Sequence, residues 1–308
     1  MWRWWPALWR GAVSRIAEAF ARLNRPALIP FLMAGDPDLA RSARLLRTAA
    51  RVGDILEVGV PFSDPVADGP TIQRAGQRAL AAGVNLRDVL DLVRDLSCIH
   101  AQGPAADPRA GAHRIDGGRL LGGPPVVLLT YFNPVVQFGV ERFCTEARAA
   151  GVDGVVIPDL PADEADALIA PARDVGLDTI FLVAPTTSDE RIALAAGRSR
   201  GFLYCVSLTG VTGARTDVPP EVVGLVRRAK ALTALPVCVG FGISTPRQAQ
   251  AIGGLADGVI VGSALVEVVE GAGTDAEEAL AGFLARLRDA LATTRPVEPG
   301  ISQSPPRR

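Results

Sequence analysis

Two kinds of basic side chain are nearly missing from this 308-residue sequence: the histidines are His100 and His113 alone, and the one lysine is Lys230. Both histidines lie in a single Gly/Pro-rich stretch, which argues against imidazole catalysis and histidine-held zinc. Lys230 lies in the polar helical stretch PPEVVGLVRRAKAL, so no pocket lysine is available for a Schiff-base aldolase or an internal pyridoxal phosphate site. Cysteine is scarce too: Cys98, Cys144, Cys205 and Cys238 are scattered without CxxC spacing, the pattern of reduced thiols in a cytoplasm. No apolar run approaches the roughly 20 residues of a membrane span. A formal net charge of −1 leaves no global field to attract nucleic acid. Acid–base chemistry therefore falls to carboxylates or a tyrosine.

What the sequence does have is alternation. Short apolar runs read as strands: ALIPFLM (27–33), ILEVGV (55–60), VVLLTY (126–131), GVVIP (154–158), TIFLVA (179–184), GFLYCV (201–206), PVCVGF (236–241) and GVIVGS (258–263). Helix-period segments separate them, such as LARSARLLRTAARVG and VERFCTEARAAG, each closing on glycine. Apolar strands alternating with helices imply a parallel sheet covered on both faces. Eight such units in about 250 residues fit a closed (β/α)8 TIM barrel. The alternative, a doubly wound open sheet, lacks a GxGxxG opening a helix after an early strand.

The same reading divides the chain. Residues 1–12 are basic and aromatic without the apolar core and cleavage site of a signal peptide, and are expected to form a flexible extension. An extra N-terminal helix and a single barrel domain follow over 13–292, and the polar, Pro-rich 293–308 is expected to be a disordered tail. One stretch, SCIHAQGPAADPRAGAHRIDGGRLLGGPP (97–125), breaks the rhythm and is expected to be a mostly disordered, flexible insertion before strand 3.

In such a barrel, chemistry sits at the C-terminal ends of the strands. Within ILEVGVPFSDPVADGPT, alternation puts Ile55, Glu57 and Gly59 on one face of the strand and Leu56 and Val58 on the other. A glutamate near the strand end would project, partly dry, into the barrel mouth, where its pKa rises toward the range useful for acid–base work. Asp68 follows in a Pro/Gly loop able to cover the same mouth, giving two carboxylates in unlike surroundings. The competing structural reading has Glu57 in a buried ion pair and Asp68 capping the helix that starts near Thr71. Late in the chain, TGVTGA, GFGIS and GSA follow strands 6, 7 and 8, small residues whose backbone N–H groups can approach a phosphate.

Taken together, PFLMAGDP, LEVGVPFSDPVADGPTIQ, LTYFNPV, DGVVIPDLP, FLVAPTT, LYCVSLTGVTGAR and GFGIS resemble the α chain of tryptophan synthase, over about Ile16 to Leu291. That resemblance implies cleavage of indole-3-glycerol phosphate to indole and glyceraldehyde 3-phosphate. It also implies an αββα heterotetramer with a β chain that carries the pyridoxal phosphate and receives the indole, so that no cofactor or metal belongs to this chain. It further implies catalytic roles for Glu57 and Asp68 and an active-site position for Tyr204. By the same match the phosphate falls on Gly213, Gly242, Gly262 and Ser263, and the indole slot on Phe31, Leu129, Leu182, Phe241 and Ile260. Asp64 and Thr212 match positions where two loops meet on closing, and Asn133 and the loop around Asp64 match surfaces facing the β chain. The insertion and the Trp-rich extension depart from the family pattern. Three other readings stand beside this one: a stand-alone indole-releasing lyase, a metal-dependent barrel lyase with Asp36, Asp64 and Asp68 as ligands, and a non-catalytic activator of a β partner.

Overall fold

The computed structural model describes residues 13–100, 113–114, 120–121, 123–206, 218–240 and 242–294. The extension expected over 1–12, most of the insertion, nearly all of the tail, and Thr212, Gly213 and Phe241 lie outside them.

Eight strand paths form one parallel ring: β1 (Ala27–Met33), β2 (Leu56–Gly59), β3 (Val126–Leu129), β4 (Gly154–Val156), β5 (Asp178–Ile180, then Leu182–Val183), β6 (Leu203–Val206), β7 (Val237–Gly240) and β8 (Gly258–Val261). β5 comes in two pieces because Phe181 is where its pairing passes from one neighbour to the next. Asp178–Ile180 pairs with β4 and Leu182–Val183 with β6, while the Tyr204 N–H donates to the Phe181 carbonyl (3.1 Å) between them. β1 divides its pairing likewise, Ala27–Pro30 with β8 and Phe31–Met33 with β2. Pro30, which has no N–H to give a ladder, stands at the changeover. The expected TIM barrel is the observed fold.

Two apolar cores follow from strand alternation. Leu56 and Val58 face outward into the layer between sheet and helices, whereas Ile55, Val127, Val156, Ile180, Tyr204, Cys238 and Ile260 fill the inside of the barrel. The expected N-terminal helix, Arg15–Arg22, closes the foot with Ile16, which is fully buried among those interior residues. Ser14 caps this helix by accepting the Ala17 N–H.

A repeated device builds the foot. Asp54, Asp153 and Asp257 stand just before β2, β4 and β8, and each accepts the N–H of the first or second residue of the preceding strand: Leu28 (2.8 Å), Val126 (3.0 Å) and Val237 (2.9 Å). Each returns its own N–H to that residue's carbonyl. Cations neutralise the three carboxylates: Arg25 on Asp54, Arg15 and Arg148 on Asp153, and Lys230 on Asp257. The single lysine is therefore a foot residue, remote from the mouth.

Parts of the insertion are among the described residues. The helix Leu86–His100 runs through Ser97 to His100, because Leu92, Val93 and Leu96 keep their inward helical spacing up to that point. Beyond it, His113–Arg114 pairs antiparallel with Leu120–Leu121. The segment re-enters the barrel at the foot, where Arg15 donates to the Gly123 carbonyl (2.7 Å).

Candidate active site

Glu57 lies two residues from the end of β2, in register with Phe31 of β1 on one side and Val127 of β3 on the other. It is 1 % exposed, and neither carboxylate oxygen has a hydrogen-bond partner among the described residues. The ion pair that would explain it structurally is missing there. Burial, and then the nearby charge of Asp68, pushes its carboxyl up to about 8.

Asp68 does not cap the following helix. Gly69 is the N-cap of Pro70–Ala81 and makes no side-chain cap bond; Gln73 instead donates to the Asp68 backbone carbonyl (2.8 Å). The Asp68 carboxylate is half-buried, raised by burial to about 6 and held back from rising further by a hydrogen bond from Tyr131. Two carboxyls of different burial thus share the mouth, with the charge of Asp68 felt at Glu57.

Four of the five residues expected around the ring of a flat ligand are described, and three of them lie in or against the barrel interior. Ile260 is part of the interior core, with Leu129 and Leu182 half-buried against it. Phe31 is so close to β2 and β8 that a Cβ added at Gly59 or Gly262 would meet its ring at 2.6 or 3.2 Å. Tyr204 is buried against β7, where a Cβ at Gly240 would fall 2.5 Å from its hydroxyl. Burial above all, then Glu57, drives its phenol well above the usual range, so it stays a neutral hydroxyl.

The mouth also carries two helix N-termini side by side in sequence order. Gly262 caps the ten-residue helix Ser263–Ala272, with Ser263 exposed at its first position. Gly242, exposed with φ +45, leads into Pro246–Gly253, whose Thr245 and Gln248 form a capping box. A side chain at Gly242 would be strained, which leaves bare backbone there. Asp64 and Asn133 are exposed on this side of the barrel, apart from Glu57.

Reading the sequence missed Tyr131. Its ring stacks on Phe62 (5.1 Å, 29°), its hydroxyl oxygen accepts the Ala67 N–H (3.1 Å), and that hydroxyl is near enough to Asp68 to hold its carboxyl down. The available signal was its rarity: the chain has two tyrosines, Tyr204 within β6 and Tyr131 two residues past β3. The proposed metal set does not assemble, because Arg78 already holds both oxygens of Asp36 (2.6 and 2.7 Å). No three metal-ligating side chains come together among the described residues.

Comparison with known proteins agrees with this geometry. The family model described as tryptophan synthase alpha chain matches residues 18–105 and 122–294. The chain belongs to the tryptophan synthase α chain family. The break in the match falls inside the insertion, so residues 106–121 have no counterpart in the family pattern. A tryptophan synthase α chain from Carboxydothermus hydrogenoformans is 47 % identical over 262 residues, covering 84 % of this chain and 90 % of the relative. One from Synechocystis is 46 % identical over 283 residues, covering 91 % and 99 %. Among solved structures, the tryptophan synthase α subunit of Legionella pneumophila superposes with a TM-score of 0.78 at 35 % identity over 91 % of this chain and 99 % of that one. Tryptophan synthase from M. tuberculosis, in an aminoacrylate-bound form, matches at 0.76 and 37 % over the same shares. Membership places the chain among the enzymes of tryptophan synthesis. No described helix is long and apolar enough to cross a membrane.

Proposed function

We propose that this chain cleaves the bond between indole C3 and the glycerol phosphate side chain of indole-3-glycerol phosphate, a retro-aldol carbon–carbon lyase reaction, with Glu57 carrying both proton transfers. The observation that supports this most is a buried carboxyl at the barrel mouth, unpartnered among the described residues and raised to about 8, which holds a proton near neutral pH. Glu57 gives that proton to C3, making an indolenine that can accept electrons. The resulting carboxylate then takes the proton of the side-chain hydroxyl on the carbon attached to C3. As that hydroxyl becomes a carbonyl, the carbon–carbon bond breaks and its electron pair restores the aromatic ring. Indole and glyceraldehyde 3-phosphate leave, and Glu57 is protonated again.

Asp68, ionised above about 6, accepts the indole N–H and stabilises the positive charge that develops on the ring. Tyr204 supplies a neutral hydroxyl beside Glu57 that orients the substrate. Phe31, Leu129, Leu182, Phe241 and Ile260 hold the ring, and Gly213, Gly242, Gly262 and Ser263 hold the phosphate through backbone N–H groups and helix dipoles. Asp64 and Thr212 meet as the loops close and shut out water. Asp68→Asn should lower kcat/KM for indole-3-glycerol phosphate by about 10²–10³-fold, the usual scale for losing one electrostatic stabiliser. Steady-state assay of the purified chain measures it; turnover within twofold of the parent removes Asp68 from the mechanism.

The indole goes to a pyridoxal-phosphate β chain in an αββα assembly. Lys230, bound to Asp257 at the foot, is out of reach of any pyridoxal site at the mouth, which fits a cofactor held by the partner. The docking side is the face bearing Asn133 and the loop of Asp64, where Val66 (81 % exposed) and Val136 (48 %) leave apolar surface uncovered. Adding a purified tryptophan synthase β chain should accelerate cleavage at least several-fold. No acceleration and no co-elution would mark the chain as a lyase that works alone.

A further inference from the structure

We propose that Tyr131 is the positioning residue for Asp68, tying the loop after β2 to the end of β3 and leaving one carboxylate oxygen free for the indole N–H. The inference rests on the role given to Asp68 above.

Tyr131 is 1 % exposed and is the N-cap of the helix Phe132–Phe138, in extended backbone (φ −99, ψ 158). The next residue is pinned from the turn after β4, where Asp159 accepts the Phe132 N–H (2.9 Å). The Tyr131 ring is therefore fixed from its own backbone side. It meets the β2 loop at two points, by stacking on Phe62 and by accepting the Ala67 N–H. One side chain thus closes the loop from 62 to 67 like a staple.

A phenol oxygen that accepts an N–H on a lone pair still has its proton to donate. The bond to the Ala67 N–H brings the next residue, Asp68, to that hydroxyl, and we assign the proton to its carboxylate. No other described residue bonds that carboxylate: the helix behind it is capped by Gly69, and Gln73 holds the Asp68 backbone, not its side chain. The charged and titratable groups that face the pair are Glu57 and Tyr204 toward Asp68 and Asp159 toward Tyr131. None of these is a cation, so the Tyr131 hydroxyl is the donor that favours ionised Asp68.

Tyr131→Phe keeps the stacked ring and removes the hydroxyl. It should lower kcat/KM for indole-3-glycerol phosphate about 10-fold or more near pH 7 and move the acid limb of the pH profile up by about one unit, the scale of one lost hydrogen bond to a charged group. A purely packing role would alter yield or melting temperature and leave the limb in place. In the Asp68→Asn background the substitution should have little further effect. Circular dichroism verifies the fold, and if Tyr131→Phe does not fold, Phe62→Leu, which retains the hydroxyl, should shift the limb the same way by less. An unmoved limb with kcat/KM within twofold, or effects that multiply in the double variant, would overturn the proposal. A wild-type Asp68→Asn would instead overturn the role given to Asp68.

Discussion

Glu57→Gln should lower kcat for indole-3-glycerol phosphate cleavage by about 10³-fold, within the range of general acid–base catalysis, and yet make the folded chain more stable. The two effects share a cause. In the folded barrel the carboxyl is raised from 4.5 to about 8, mainly by burial. The folded chain therefore keeps a proton that the unfolded chain releases once the pH passes 4.5. Native stability is full below that value and erodes as pH rises toward 8, levelling off above it. Glutamine is isosteric and does not titrate. The stability difference should be near zero at pH 4 and reach several kcal/mol by pH 8, at about 1.4 kcal/mol per unit of displacement. Urea melts of both proteins at several pH values, paired with steady-state kinetics, test both halves. Wild-type turnover in the glutamine variant would end the proton-transfer role. A pH-independent stability gap would mean that the carboxyl is not as dry as its surroundings require.

Asp153→Ala is expected to cost about 3–5 kcal/mol, the penalty for removing one partner of a buried ion pair. Arg15 is 8 % exposed in its side chain and loses the carboxylate 2.6 Å away. Arg148 loses its contact at 3.0 Å, and the buried Val126 N–H is left without an acceptor. Asp54→Ala should cost less, because Arg25 and Asp54 both reach water more easily, at 15 % and 14 % side-chain exposure. Chemical denaturation of the two variants against the parent gives the order. Equal, small losses would show that the aspartates before the strands are not what holds the foot. Neither variant should alter KM, since the mouth lies at the opposite end of the strands.

Most of the barrel could be read from the chain, and the reason is physical. Each strand had to be apolar on both faces, so each showed as an unbroken run; β1 came out at Ala27–Met33 and the helix Val140–Ala150 stopped at Gly151, in left-handed backbone at φ 101. The division of β5 at Phe181 was not legible, because a change of pairing partner leaves no mark in a run of apolar residues. Nor was the end of the helix Leu86–His100, because composition marked a break at Ser97 while Leu92, Val93 and Leu96 carried the helix up to it.

At the mouth, Glu57 announced itself as a carboxylate where hydrophobicity was required, and no ion pair among the described residues offsets its burial. Tyr131 was hidden for the opposite reason: an aromatic after an apolar strand looks like packing. Its partner Ala67 contributes only a backbone N–H, which any residue but proline would supply. Interactions that use backbone on one side cannot be seen as a pair of residue types. The three aspartates at the foot share that property, each bonded to a strand N–H that carries no residue identity.

The confinement of the only ε-amine to the foot gives this protein an unplanned handle. Apart from the terminal α-amine, a reagent that acylates amines has one place to go. A dye, tether or surface joined through Lys230 should leave the opposite rim turned outward, so that molecules fixed to a bead in this way would still present their substrate entrance, all in the same orientation.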